Sequence, residues 1–545
     1  MSYPQIVEYN EAVQNPGQVF LDDELKRGRV SENNLGLPLV LSGGFALTYA
    51  VTTQNRKCAI RCFHREIPAI EEKYDAISKA LVSLGSPFFV NFDFQRRGIK
   101  IKNNSYPIVR MDWIEGDPLG VWLDKNANNG PAIEKLRARF IQLASFLELR
   151  GIAHGDIQNG NVIVAGDKIR LIDYDGMYVP PMPIGRGSET GHKHFQHPDR
   201  QPGNFGPKMD RFSFIALNLS LKSVAADSTL YRKFREGGET IIFKANDFAD
   251  PQTSEIFKVL LSKALVQTEA KNFAAICEAG IESVPSLEDF IAGRNIPKPK
   301  PRAVPPPGQV AQPKKRAYIS AYPVLDALNY SAAASRVGDR VELIGKIVEV
   351  KEDVGKRGRG RGRPYVFINF GPWKGSIVKL SIWSEGLAKL KEKPTNAWIG
   401  RWVSVTGLID PPYPSKRYSY THLSITIQDD GQINQITESE ARFRLGTAGT
   451  TEGKSNRQVI DDLIVKPEPR GRTTTAPVRP RSVPVPVSKN RGIVDQYVGT
   501  GSPGGGPAHP SQSNIPKAPE SFFGNIPGWV WIVGGIVLLY LLAKH

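Results

Sequence analysis

The chain has little cysteine: three in 545 residues, at Cys58, Cys62 and Cys277. An odd, sparse set excludes a disulfide framework and points to a reducing compartment. Cys58 and Cys62 share a C-x3-C spacing inside an apolar run, with no second Cys or His pair at a usable distance. Buried strand thiols are therefore expected, and a zinc site is not. No basic start followed by an apolar run opens MSYPQIVEYNEAVQ, so no signal peptide is expected. No internal repeat is present, which excludes a repeat array.

Positive charge, proline and glycine are plentiful. Lys and Arg outnumber Asp and Glu by 71 to 54, a net charge of +17. Such a balance favours contact with nucleic acid or an anionic membrane, and basic linkers alone produce it too. The 42 Pro and 51 Gly cluster in two stretches, which read as linkers. The length exceeds what one core organises, so several domains are expected. Residues 1–34 form an N-terminal extension and 35–295 a first unit passing from β-like runs to helical patterns. A Pro-rich basic linker, 296–316, follows as IPKPKPRAVPPPGQVAQPKKR. The second unit, 317–446, alternates at period two. Its runs RVELIGKIVEV, PYVFINF, GSIVKLSIW, RWVSVTGLI and THLSITIQ make five strands, with helix-like EGLAKLKEK after the third. That is the order of an OB-fold barrel. Residues 447–525 are basic, rich in Pro and Gly, and expected to be disordered.

Several segments in the first unit fall in a telling order. HGDIQNGN, His154–Asn161, precedes LIDYDG, with Asp173 at the end of an apolar run. Upstream stand LSGGFALTYAV, KCAIRCF and IVRMDWIEGDPL; downstream stand FQHPDR and MDRFSFIAL. Together these resemble a protein kinase, within it a divergent bacterial group carrying HGDLQ-x-GN, IDYDGM and GHxxFQHPxR. The resemblance implies a bilobal α+β fold over the whole first unit. It implies that Asp156 orients an attacking hydroxyl while Asn161 and Asp173 hold Mg²⁺ against ATP. Gly43 and Gly44 would belong to the loop over the phosphates, and Met111 would be the gatekeeper. Asp112, Trp113 and Ile114 would offer backbone groups to adenine. His154 would be a scaffold residue, and Asp210 would brace the catalytic loop.

Departures from that pattern bear on activity. Arg61 stands where a strand Lys grips the phosphates, and the change is not conservative. It reads either as a phosphate contact or as half of a structural ion pair. Its expected acidic partner lies on the helix in IPAIEEKYDAISKAL, with Glu71, Glu72 and Asp75 all candidates. Gln158 replaces the usual Lys of the catalytic loop, and HGD loops also occur in kinases of small molecules. Asp175 replaces the Gly of DFG, where it adds metal affinity or caps the following turn. Retention of Asp156, Asn161 and Asp173 favours a Ser/Thr protein kinase; the alternative is a pseudokinase scaffold recruiting nucleic acid or protein to a membrane.

In the second unit, the loop VGKRGRGRGRP carries Arg357, Arg359, Arg361 and Arg363. Alternation turns Phe367, Lys379 and Trp383 outward beside it. Basic loop and outward aromatics are what stacking on a single-stranded nucleic acid requires; a protein ligand is the other partner expected of such a module. At the end of the chain, WVWIVGGIVLLYLLA carries no charge, within residues 526–545. Trp529, Trp531 and Tyr540 suit interfacial anchors, so one transmembrane helix in a lipid bilayer is expected, with the bulk of the chain cytoplasmic.

Overall fold

Two faces of one strand organise the first lobe. Alternation along Lys57–Phe63 sends Cys58, Ile60 and Cys62 to one side, and Ala59, Arg61 and Phe63 to the other. The strand is central in a sheet ordered Arg29–Val30, Ala46–Thr52, Lys57–Phe63, Asn104–Asp112, Phe92–Ile101. Val40–Ser42 pairs with Ala46–Thr52 as a hairpin. Helix Ile6–Ala12 and the segment after it cover the first face. Ile6, Tyr9, Val13, Phe20 and Leu25 pack there on Ile60 and on Cys58 and Cys62, both free, buried thiols. Helix Ile70–Leu84 covers the other face through Ile70, Tyr74, Ile77 and Leu81, an apolar stripe at helical spacing. A computed structural model describes residues 3–32, 36–42, 46–65, 69–185, 187, 189–298, 317–356, 361–414 and 420–447.

The second lobe is helical. Helix Gly130–Arg150 starts where the Asn129 side chain accepts from Ala132 N at 3.1 Å, with a proline in its first turn. It ends at Gly151, whose φ of +62° suits a residue without Cβ. Helix Arg211–Ala226 is buried on nearly every side, as the central helix of a lobe must be. Phe212, Phe243, Phe248, Phe257 and Phe273 meet around it with ring centroids 5.0–5.8 Å apart. A small sheet is ordered Asp117–Pro118, Val162–Ala165, Lys168–Leu171, and the segment His154–Asn161 leads into its middle strand.

The second unit departs from the expected five-stranded barrel. RVELIGKIVEV is two strands, Arg340–Lys346 and Glu349–Val354, because the chain turns at Ile347 and Val348. Their backbone N–H groups donate to different strand systems, at Arg401 and Asn369. The halves enter separate sheets. One is ordered Val324–Asp326, Arg340–Lys346, Trp402–Leu408, Ile433–Ile436. The other is ordered Glu349–Val354, Pro364–Asn369, Val378–Ile382, Thr421–Ile427, Tyr413–Pro414. The flanking strands Val324–Asp326 and Ile433–Ile436 occupy edges that closure would need, so neither sheet closes. Val341, Leu343, Ile368, Leu380, Val403 and Ile425 form a shared core. The helix expected after the third run is present as Ser384–Lys389.

The expected membrane span and membrane localisation are corrected as well. Among the described residues no helix is long and apolar enough to cross a bilayer. The run 526–545 lies outside them, as do 299–316 and 448–525 of the expected linkers.

Asp410 is the acid of the second unit's core edge. Its carboxylate accepts from Thr426 Oγ1 at 2.8 Å and Ser424 Oγ at 3.1 Å. Burial pushes the carboxyl up to about 6, against these two hydroxyls. A folded-state value above the unfolded one means a contribution that is full below 3.8 and lost as pH rises through about 6. Asp410→Asn is expected to flatten that fall and to be more stable near neutrality by about 1–2 kcal/mol. Urea midpoints of both proteins across about pH 4–7 check it.

Candidate active site

Arg61 leaves its strand on the face turned toward the second lobe, and there it is claimed by two acids. Its Nη1 donates to Asp173 Oδ1 and its Nη2 to Asp175 Oδ2, each at 2.6 Å. The guanidinium side chain is 8% exposed, as is that of Asp175, whereas Asp173 keeps 39%. A planar fork with fixed donors suits two carboxylates at once, which an ammonium does not match. The second oxygen of Asp175 accepts from the Tyr74 hydroxyl, and its carbonyl accepts from Lys73 Nζ.

None of the three acids expected to pair with Arg61 does so. Glu71 and Asp75 both bind Arg96, at 3.1 and 2.7 Å, and Glu72 is exposed. The helix is rotated so that Ile70, Tyr74 and Ile77 face inward, which turns Glu71 and Asp75 to the side. The acids that do pair with Arg61 are Asp173 and Asp175, from another element. Lys73, Tyr74 and Glu189 were not singled out from sequence. A signal existed for Tyr74, since a phenol in a buried stripe needs a hydrogen-bond partner.

Charge is unevenly shared in this cluster. Desolvation raises both carboxyls, but Arg61 outweighs it at Asp173 and holds that group below the usual range. Asp175 stays above it, because desolvation and the negative charge of Asp173 exceed the help from Arg61 and Tyr74. Glu189 is pushed up by burial and by Asp175, Asp173 and Asp156, with Lys73 opposing. Burial lowers the Lys73 ammonium, against Glu189, Asp175 and Asp173.

The catalytic-loop segment is bound on every side. Asp156 Oδ2 accepts from Gln158 Nε2 at 2.8 Å and Asn161 Nδ2 at 2.9 Å; Oδ1 accepts from His192 N at 2.7 Å. Asp210 accepts from the backbone N–H groups of His154 and Gly155, the latter at 2.8 Å. The His154 ring lies 2.9 Å from the Ile172 carbonyl, and Ile172 N donates to the Asn161 carbonyl at 3.0 Å. Asp156 and Asn161 are thus bound to each other, and Asn161 is tied by its carbonyl to Ile172, the residue before Asp173. Gly155 is needed for its own reason: its φ is +84°, and a Cβ would stand 2.2 Å from the Gly176 carbonyl. Asp173 itself sits at φ +68°, a left-handed conformation that a non-glycine residue holds only when its surroundings fix it.

The other expected residues are distributed as follows. Met111 is buried between the lobes. Asp112 N donates to Asn91 O at 3.2 Å and Trp113 N to Lys57 O at 3.0 Å, and the Asp112 carboxylate binds Arg56 at 3.0 Å. Ile114 packs on the main core. Gly43 and Gly44 lie outside the described residues, as do Arg357 and Arg359. Arg361 is exposed and Arg363 half-buried. Phe367 is not an open platform: it packs with Tyr365, Trp383 and Leu37, the last from the strand-poor segment before the expected glycine loop. Lys379 Nζ lies 4.2 Å over the Phe367 ring, and burial pushes its ammonium down to about 8. The stacking face expected for nucleic acid is therefore occupied from within the chain.

The two units also meet beside Asp156. Glu239 accepts from Arg340 at 2.7 Å and from the Tyr322 hydroxyl at 3.2 Å, and lies 2.9 Å from His192 Nε2. Burial works to raise the Glu239 carboxyl, yet Arg340 and His192 outweigh it and hold the group well below the carboxylate range. His192 N is one of the three donors to Asp156, so Glu239 links the second unit to that carboxylate.

The chain is similar to a probable serine/threonine-protein kinase, FPV212, of Fowlpox virus (strain NVSL). The two are 26% identical over 179 residues, covering 29% of this chain and 56% of the viral protein. The match thus spans a little over half of that protein's length. No family model matches the chain. At this level the likeness is to kinase-like phosphotransferases in general.

Breaking a buried ion pair from one side strands the other charge. Asp175→Ala is expected to destabilise the protein by about 3–5 kcal/mol. Asp175→Gly, which restores the residue of a DFG turn, is expected to do the same rather than to rescue. Guanidinium denaturation of the two variants beside the parent measures this; an unchanged midpoint in both would show that Asp175 is not the partner that holds Arg61.

Proposed function

We propose that the chain is an ATP-dependent phosphotransferase acting on Ser or Thr hydroxyls of a protein substrate. On this reading residues 35–295 are the kinase-like domain and 317–446 an accessory module seated beside its cleft. The observation that carries the reading is Asp156. It is fixed by Asn161, Gln158 and the His192 backbone, with the loop behind it held by Asp210. A carboxylate so restrained is placed to accept and orient a hydroxyl, and phosphoryl transfer asks for placement and charge neutralisation more than covalent help.

Asn161 and Asp173 would hold Mg²⁺. An amide oxygen and a carboxylate are hard donors, and Mg²⁺ commonly takes one or two carboxylates and fills its other positions with water and phosphate oxygens. The Asp173 side chain keeps 39% of its surface exposed, which fits that use. The ion, when bound, neutralises phosphate charge. Met111 shapes the adenine pocket. Asp112 N and Trp113 N already donate within the chain, so the base would be met through Ile114 and the carbonyls of this stretch.

A second reading is favoured by one observation: both terminal nitrogens of Arg61 are bound to Asp173 and Asp175. A site closed in this way suits a scaffold that binds nucleotide without turning it over. Incubation of the full chain with Mg²⁺ and γ-labelled ATP separates the two. The enzyme reading expects autophosphorylation that Asp156→Ala and Asp173→Ala each lower by at least about a hundredfold. Nucleotide binding with no label transfer in the parent would select the scaffold.

A further inference from the structure

Phosphoryl-transfer sites commonly use a cationic side chain on the phosphates, and the residue at the expected place is committed elsewhere. Arg61 donates to two carboxylates at 2.6 Å with its side chain almost fully enclosed. Turning it toward a triphosphate would take the guanidinium from the buried Asp175 carboxylate and leave it the Tyr74 hydroxyl alone, at a cost that one new contact does not offset. Arg61 is therefore the structural member of the cluster.

Lys73 differs from Arg61 in chemistry and in place. It stands on helix Ile70–Leu84, beside Tyr74, and its ammonium meets the turn Asp173–Asp175 at the Asp175 carbonyl. Its side chain also lies 6.0 Å from the Phe205 ring, which walls the same space from the segment before Asp210. The charged groups about it are Asp173, Asp175 and Glu189, so it sits inside the acid cluster that Mg²⁺ and phosphates would enter. An ammonium is a point charge on a flexible stem whose three donors reorient readily, so it can keep a carbonyl and take a phosphate oxygen.

Resting on the phosphotransferase reading, we infer that Lys73 is the phosphate-binding cation of this site, supplied by the helix in place of the strand. The arrangement exchanges the two positions. Where a kinase has a basic strand residue and an acidic helix residue, this chain has the acid in the turn at Asp175 and the phosphate-directed base on the helix at Lys73.

The test is calorimetric titration of the full chain, wild type and variants, with Mg·ATP and separately with adenosine. Lys73→Ala is expected to weaken Mg·ATP by about tenfold to a hundredfold, the range for losing one charge-assisted contact. Its adenosine affinity is expected to stay within about twofold of wild type, and Lys73→Arg to recover part of the Mg·ATP affinity. The adenosine arm and a thermal unfolding curve show that the pocket of each variant is intact. Wild-type Mg·ATP affinity in Lys73→Ala overturns the inference and leaves the phosphotransferase reading standing. Equal loss of ATP and adenosine overturns it too, since the lysine would then only support the fold. If wild type binds adenosine and Mg·ATP with no difference, or binds neither, both readings fall together.

Discussion

One guanidinium joins three elements that otherwise have no reason to stay in register. Arg61 arrives on the central strand of the first lobe, Asp173 and Asp175 on the turn after Lys168–Leu171, and Tyr74 on the helix between them. The cost of burying these charges is met only if all are satisfied together. That condition fixes the rotation of the helix, the left-handed backbone at Asp173 and the closeness of the lobes. Arginine suits this place better than lysine, because two separate carboxylates are bound at once by two nitrogens of one rigid fork.

A comparable constraint ties the second unit to the first. Glu239 gathers Arg340 and Tyr322 from one side and His192 from the other. Nearby, Arg444 binds Glu236 at 2.7 Å and Glu342 at 2.9 Å, with its guanidinium 4.6 Å over the Tyr318 ring. Arg65 reaches Asp339 from the first lobe. Such contacts are specific rather than adhesive: a buried charge tolerates few alternative placements. A module held this way sets the position of His192, and through its backbone N–H the position of Asp156.

What could be read from sequence was local. The alternation in KCAIRCF put Arg61 and the two thiols on opposite faces, and the spacing of HGDIQNGN placed Asp156 and Asn161 within one loop. Both depend on neighbours a few residues away. What could not be read was non-local. Which helix residues face the cleft is a matter of rotation, and three nearby acids gave no means of choosing; the partner proved to lie on another element. RVELIGKIVEV alternates without interruption, so its break into two sheets is set by the strands it meets, not by its own pattern. Phe367 alternates outward correctly, yet Leu37, some three hundred residues earlier, covers it. The described residues include no helix that supports the expected membrane span.

The balance of charge in the cleft explains why the departures from a kinase pattern come as a set. Arg instead of Lys on the strand provides a fork whose two terminal nitrogens go to two different carboxylates, Asp173 and Asp175, two residues apart in one turn. With both acids in the turn, an acidic residue on the facing helix would add a third negative charge beside two that already compete for one guanidinium. The helix instead offers a phenol, which donates to Asp175 without adding charge, and an ammonium, which lowers the negative potential of the cleft. Arg61, Asp175 and Tyr74 therefore depend on one another: Arg61 and Tyr74 donate to the two oxygens of one buried Asp175 carboxylate, and Lys73 meets the same residue at its carbonyl.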